Sequence, residues 1–252
     1  MNLAIDIGNS RVKTGLFVKG KLGKNNIYNS FSLKDLKLIF RENPEIDCTI
    51  LCSVKSYSPA LKSFLSSHSR FIELTHKTPV PVKVTYKTPQ TLGMDRLAAI
   101  CGAYSICKGN ILVVNAGTCI TFDFLDSKRT YIGGSISPGL AMRYRALHTF
   151  TGKLPLIVPD MKFNKLIGAD TAESIKSGVQ LGFLNEVEGI IREYQLKYKD
   201  LTVILTGGSM PWLLKSLKSE IKAEPFLVLT GLNVILSPFH NQSNRISAKR
   251  FQ

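Results

Sequence analysis

A chain of 252 residues and 27.9 kDa is long enough for one or two domains with cores of their own. Its 44% hydrophobic and 20% charged residues exclude a largely disordered chain, and no apolar run approaches the ~18 residues of a membrane span. The net charge of +15 is spread over the chain, which fits background charge or a polyanionic small ligand such as a nucleotide better than nucleic acid.

In chain order, Asn2–Ile7 is an apolar segment with a polar end, followed by the turn signal Gly8-Asn9-Ser10. A second apolar run over Thr14–Val18 and a second turn at Lys19-Gly20-Lys21 predict a strand–turn–strand–turn–strand meander. Helical spacing of apolar residues predicts helices over Leu33–Arg41 and Pro59–Ser67, with a short buried strand at Cys48–Ser53 between them. Residues 75–91, rich in Thr, Pro and Lys, read as an irregular crossing segment, and Met94–Lys108 as a helix with one buried face.

Residues 111–124 (ILVVNAGTCITFDF) repeat the opening layout of strand, polar residue, glycine, hydroxyl residue and second strand. That is weak internal similarity, and it predicts two related halves, 1–110 and 111–252. The second half continues with Tyr131–Gly134, a helix from Pro138-Gly139 to His148, and a loop over Gly152–Lys165. A long helix is predicted over Asp170–Tyr198 with a capping-box-like start at Asp170 and Glu173. Gly178 and Gly182 on that helix read as close-packing positions. Thr202–Leu205 is a strand, Gly207-Gly208 a turn, Pro211–Leu217 a helix, Phe226–Leu229 a last strand, and 231–237 a last helix. Strands alternating with helices late in each half predict an α/β protein, and the antiparallel opening strands exclude a purely parallel sheet.

The five cysteines form no CxxC pair, so neither a zinc ribbon nor a disulfide framework is indicated. Asp6 interrupts the place where a secretory signal would need its apolar stretch, and a cytoplasmic location is expected. The residues 245–250 read as a short basic tail. P-loop, dinucleotide-fold and HExxH signatures are absent.

Two segments carry candidate chemistry. In Asp6-Ile7-Gly8-Asn9-Ser10 a carboxylate at a strand end precedes a glycine turn and a hydroxyl. Such a turn presents N–H groups to an anion, and Asp6 is a candidate magnesium ligand, directly or through water. A plain β-turn is the alternative. Asn115-Ala116-Gly117-Thr118 is its counterpart, and two such turns can clamp one phosphate chain. Asp95, in Gly93-Met94-Asp95-Arg96 at a helix start, either stabilises that start or serves an anionic ligand's neighbourhood. Gly133-Gly134 and Thr206-Gly207-Gly208-Ser209 allow close backbone approach, or simply end strands.

This ordered set resembles the type III pantothenate kinase family, within the acetate kinase, sugar kinase, Hsp70 and actin superfamily. The matching pieces are Asp6–Ser10, Tyr86-x-x-Pro89, Leu92-Gly93-Met94-Asp95-Arg96, Asn115–Thr118, Gly133-Gly134-x-Ile136-x-Pro138-Gly139, Leu154-Pro155, Gly168-x-x-Thr171, Gly178, Thr206-Gly207-Gly208 and the closing Leu227–Leu232. The resemblance implies two ribonuclease-H-like (actin-like ATPase) domains with mixed sheets, ATP held between them, and closure of the two halves. It also implies a homodimer with the pantothenate pocket near the subunit interface. It assigns Asp6, Ile7, Gly8, Asn9, Ser10, Arg11, Val12, Lys13 and Thr118 to ATP. It assigns Tyr86, Gly93, Met94, Asp95, Arg96 and Thr171 to pantothenate, with Asp95 as catalytic base.

The family's aspartate at position 115, a ligand of a monovalent cation such as potassium or ammonium, is Asn115 here, and its usual threonine at position 10 is Ser10. The activity implied is transfer of phosphate from ATP to pantothenate, with magnesium, as the first step toward coenzyme A. No membrane or nucleic-acid partner is expected. The alternatives are a kinase of another small hydroxyl compound such as a sugar, and a non-enzymatic regulator of the same fold that binds nucleotide or nucleic acid.

Overall fold

The computed structural model describes the backbone of residues 1–248 and the side chains through residue 237. The basic tail at 245–250 lies outside the described side chains. The chain divides into two compact units. The first comprises Met1–Ile106 together with the described residues from Phe226 onward, and the second Cys107–Pro225. The first boundary falls close to the junction expected near residue 110. The closing segment, expected in the second half, belongs to the first unit.

The first unit opens with the predicted meander, β1 (Asn2–Ile7), β2 (Val12–Val18) and β3 (Lys21–Tyr28), and continues with α1 (Leu33–Glu42), β4 (Cys48–Ser53) and α2 (Pro59–His68). A short strand that the sequence did not reveal, β5 (Arg70–Glu73), follows, and the crossing segment contains only the two-residue β6 (Lys83–Val84) and one turn of 3-10 helix at Pro89–Thr91. Then come α3 (Met94–Ile106) and, at the end of the chain, α8 (Leu227–Ala248).

The sheet order is β3-β2-β1-β4-β5, with β1–β2 and β2–β3 antiparallel and β1–β4 and β4–β5 parallel. One face of β1, through Leu3, Ile5 and Ile7, packs with Leu36, Ile39, Leu61 and Leu65 of α1 and α2. Ser32 caps α1 in a reciprocal box with Asp35, which stops the chain from continuing as a loop over this core.

The opposite face of β1 carries Asn2, Ala4 and Asp6, since side chains alternate along a strand. Here α8 packs, with Asn2 Nδ2 donating to the buried Asn233 Oδ1 at 2.9 Å. The sequence predicts a strand at Phe226–Leu229 and a separate helix over 231–237. The segment is one helix, and Gly231 serves contact. A Cβ at Gly231 would stand 1.7 Å from the Ala98 carbonyl oxygen, and one at Gly102 would stand 2.4 Å from the Leu227 carbonyl oxygen. The two glycines let the backbones of α3 and α8 touch, so an apolar run that looks like a strand is a helix buried on its packing side.

The second unit repeats the layout. Its strands β7 (Ile111–Ala116), β8 (Cys119–Leu125) and β9 (Thr130–Pro138) form an antiparallel meander, and β10 (Thr202–Thr206) and β11 (Lys222–Ala223) pair in parallel beyond β7. The order β9-β8-β7-β10-β11 matches β3-β2-β1-β4-β5. Each sheet is therefore mixed and ribonuclease-H-like, as the family resemblance implies, and the two share one order, in keeping with the duplicated sequence layout. β11, only two exposed residues, carries no sequence signal.

Between β9 and β11 lie α4 (Leu140–Thr149), α5 (Thr171–Lys176), α6 (Gly182–Lys197) and α7 (Met210–Ser216). Their apolar sides, including Leu140, Tyr144, Ile175, Phe183, Val187, Ile191 and Leu213, cover Leu112, Val114 and Phe122 of the sheet.

The predicted long helix is not continuous. Ser177–Leu181 is a π-helical turn between α5 and α6. A Cβ at Gly178 or Gly182 would meet nothing within 4 Å, so neither is the packing glycine the sequence suggested. The π turn instead aims the fully buried Gln180 inward. Its Oε1 accepts from Tyr144 OH at 2.7 Å and from Asp160 N–H at 3.2 Å, and its Nε2 donates to the Asp160 carbonyl at 2.9 Å. This ties the segment 150–170 to the unit's core. Glycine density at 133–134 also has a sheet explanation: Gly134 sits mid-strand, where a Cβ would overlap the Phe122 carbonyl.

Candidate active site

In the first unit the antiparallel register places Lys13 of β2 directly opposite Asp6 of β1, and the parallel register places Cys52 of β4 on Asp6's other side. Asp6 is 7% exposed, and its Oδ1 is buried without a hydrogen-bond partner. Burial raises its pKa to about 7; the Lys13 ammonium opposes the rise and the nearby Asp95 carboxylate adds to it. The Cys52 thiol is pushed well up by burial, with Asp6 and Asp95 contributing, so it is an inert neighbour and no nucleophile. Asp6, Lys13 and Asp95, three of the residues singled out in the sequence, are thus brought together.

The β1–β2 turn is closed by Gly8 N–H donating to the Arg11 carbonyl at 3.0 Å. Asn9, Ser10 and Arg11 are exposed along it, whereas Ile7 and Val12 point into the core under α1 and α2. Ile7 and Val12 therefore contribute backbone and framework to this site.

Asp95 stands in the first turn of α3, where the helix dipole favours a carboxylate. Its Oδ1 accepts from Arg96 N–H at 2.9 Å. A Cβ at Gly93 would lie 2.7 Å from that same oxygen, so glycine at 93 makes room for the carboxylate. Met94 is half-buried. Arg96 is not the surface residue that a bare helix start would carry. It is 5% exposed, and its guanidinium lies 5.9 Å from the centre of the Tyr86 ring, a cation–π distance. The crossing segment is thus held to α3 by two residues assigned to the substrate.

In the second unit Asn115 is the penultimate residue of β7 and Thr118 lies in the β7–β8 turn. Two glycines let other backbones press on this turn. Gly207 has φ +98°, in the left-handed region, and a Cβ there would stand 2.6 Å from Ala116 backbone atoms. A Cβ at Gly139 would stand 2.3 Å from the Gly117 carbonyl, and Gly139 N–H donates to the Thr118 carbonyl at 3.1 Å. Gly139 is the N-cap of α4 and offers no side-chain cap, so the turn adjoins the uncapped start of a ten-residue helix, a setting suited to phosphate. Thr171 is exposed in the first turn of α5, whose start is capped by Asp170 accepting from Glu173 N–H at 2.8 Å.

Two polar features were missed in the sequence. Asp123 is fully buried and accepts from Tyr131 OH at 2.6 Å and Thr121 Oγ1 at 3.0 Å. Lys55 reaches the β1–β2 turn from beyond β4, its Nζ donating to the Asn9 carbonyl at 3.2 Å. Its place just past the carboxyl end of a parallel strand was the available clue. Among the described residues no three His, Cys, Asp or Glu side chains gather as a metal cage.

The family model of type III pantothenate kinase matches residues 2–193. The chain is 44% identical over 239 residues to the type III pantothenate kinase of Phocaeicola vulgatus, covering 94% of this chain and 98% of that one. The chain belongs to the type III pantothenate kinase family.

Solved structures share this family member's fold at lower identity. One described as a candidate Baf family transcriptional activator from Campylobacter jejuni has a TM-score of 0.62 at 23% identity, over 95% of this chain and 99% of that one. A glucokinase from an Antarctic psychrotroph has a TM-score of 0.52 at 14% identity, over 94% and 98%. Both speak to the actin-like kinase fold alone.

Proposed function

We propose that this chain transfers the terminal phosphoryl group of ATP to the 4′-hydroxyl of pantothenate, releasing ADP and 4′-phosphopantothenate for coenzyme A synthesis. The observation that carries the reading is the buried Asp6 carboxylate with its unpartnered Oδ1, near Asp95, in a chain that belongs to this kinase family.

Phosphoryl transfer needs positioning and charge stabilisation. Asp95 orients the acceptor hydroxyl and takes its proton as the phosphoryl group departs. Arg96, held against Tyr86, supplies a fixed positive charge suited to the pantothenate carboxylate. Lys13 and the exposed turn over Asn9, Ser10 and Arg11 receive the polyphosphate.

Asp6 fits magnesium: its buried, unpartnered Oδ1 is a carboxylate oxygen left for a cation. Magnesium is commonly held by one or two carboxylates together with phosphate oxygens, and when bound it neutralises charge on the transferring group. Asn115 offers a monovalent cation one neutral carboxamide oxygen where a carboxylate is usual, so potassium or ammonium binds weakly here.

The reading includes a homodimer. Phe150, Leu156, Val158, Met161, Leu166 and Ile167 are 49–84% exposed, an apolar surface suited to a second copy. Thr171 follows this segment directly, which agrees with a substrate pocket near the subunit interface. The five cysteines are all free, which suits a reducing cytoplasm. Among the described residues no helix is long and apolar enough to cross a membrane.

The test is ADP release by purified protein with ATP and magnesium. Release with pantothenate, and none above background with a panel of sugars, is expected. Release with a sugar alone would reassign the acceptor.

A further inference from the structure

The residues after β4 are stitched to the β1–β2 turn. Val54 N–H donates to the Ile7 carbonyl at 3.1 Å, and Lys55 Nζ donates to the Asn9 carbonyl at 3.2 Å. These two bonds bracket Gly8. The backbone of Lys55 is itself fixed: Ser53 Oγ donates to its carbonyl at 2.5 Å and accepts from its N–H at 3.3 Å.

We propose that Lys55 is a positioning residue for the nucleotide, holding the Asn9–Ser10 peptide in one orientation and adding a positive charge at the turn. The inference rests on the reading of Asp6–Lys13 as the nucleotide site. In a trans peptide the carbonyl and the following N–H point opposite ways. Fixing the Asn9 oxygen on Lys55 therefore fixes the direction of the Ser10 N–H. Gly8 N–H is already committed to the Arg11 carbonyl, and Lys55 orients the Asn9–Ser10 peptide through its bond to the Asn9 carbonyl. An Asn9 carbonyl released from Lys55 can rotate toward a bound polyphosphate and repel it. The ammonium prevents that rotation and attracts the same anion, a charge-assisted bond being stronger than a neutral one.

The experiment compares Lys55→Met, Lys55→Arg and Asp6→Asn by steady-state kinetics, nucleotide titration and thermal melting. Lys55→Met should raise the KM for ATP about five- to tenfold, with the KM for pantothenate and kcat within about twofold of wild type, as expected for loss of a partly solvated charge contact. Lys55→Arg, which keeps charge and donor, should recover most of that loss.

The proposal is overturned if Lys55→Met leaves the KM for ATP unchanged, if both KM values rise together with a lower melting temperature, or if Lys55→Arg is as impaired as Lys55→Met. Asp6→Asn separates the layers. If it weakens magnesium-dependent nucleotide binding while Lys55→Met has no effect, the turn reading stands and only the role of Lys55 fails. If Asp6→Asn also binds nucleotide like wild type, the turn reading fails and takes this inference with it.

Discussion

Asp6 and Lys13 face each other across the first antiparallel strand pair, yet their opposite charges do not settle the carboxylate. Burial raises the Asp6 pKa to about 7 in spite of the lysine. A buried carboxylate with a bare oxygen is a poor resting state and a good cation ligand, which ties the fold of β1 directly to the chemistry.

The sign of the resulting pH effect is fixed. Unfolded Asp6 loses its proton in the ordinary carboxylate range, and folded Asp6 near pH 7. Between those values the folded chain holds the extra proton, so stability falls as pH rises and the cost is complete above pH 7. In metal-free buffer Asp6→Asn should thus be more stable than wild type at pH 8, by an amount on the order of a few kcal/mol at most, and melt higher. At pH 4 the two should nearly coincide. An equal gap at both pH values would show that Asp6 ionisation does not strain the fold.

The contact between α3 and α8 predicts opposite outcomes for two glycines. Gly231→Ala drives a methyl into the Ala98 carbonyl and should cost at least about 2 kcal/mol, toward the upper range for overpacking. Gly178→Ala enters open space and should be neutral or stabilising by up to about 1 kcal/mol. Urea unfolding of both variants checks this, and a harmless Gly231→Ala would mean that the helices are not in backbone contact.

Asn115→Asp should steepen the response of the rate to potassium. A carboxylate restores a full charge near the end of β7, whose attraction for the cation depends on the local dielectric. Initial rates against potassium, with choline holding ionic strength constant, should saturate earlier in the variant. Identical curves that already saturate at low potassium would remove position 115 from cation control.

The apolar stretch before α5 predicts a dimer of roughly twice the 27.9 kDa chain mass. Leu166→Glu with Ile167→Glu should shift sedimentation toward monomer and raise the KM for pantothenate. A native protein that sediments as a fully active monomer would contradict the shared pocket.

Much of this was legible in the sequence because local and global preferences agree. The two meanders announce themselves by turn residues between apolar runs, and the repeated layout anticipates two sheets of the same order. The candidate residues Asp6 and Asp95 were found as a carboxylate at a strand end and another at a helix start. What stayed hidden depends on distant partners. Nothing near Gly231 in sequence reveals that Ala98 presses on it, so the first turn of the closing helix read as a strand. Gln180 gave no hint of the π turn that buries it against Tyr144 and Asp160. Lys55 went unremarked, because its meaning lies in the carbonyl of Asn9, reached only when β4 pairs beside β1.

The most direct test of the central claim is identification of the product. Wild-type protein with ATP, magnesium and pantothenate should give one new phosphate monoester by phosphorus NMR, whose mass and coupling place the phosphate on the 4′-oxygen. Asp95→Asn, which keeps the shape but cannot take the proton, should form it about 10²- to 10⁴-fold more slowly while binding nucleotide normally. No phosphopantothenate from the wild type, or an Asp95→Asn variant within a few-fold of it, would contradict the account.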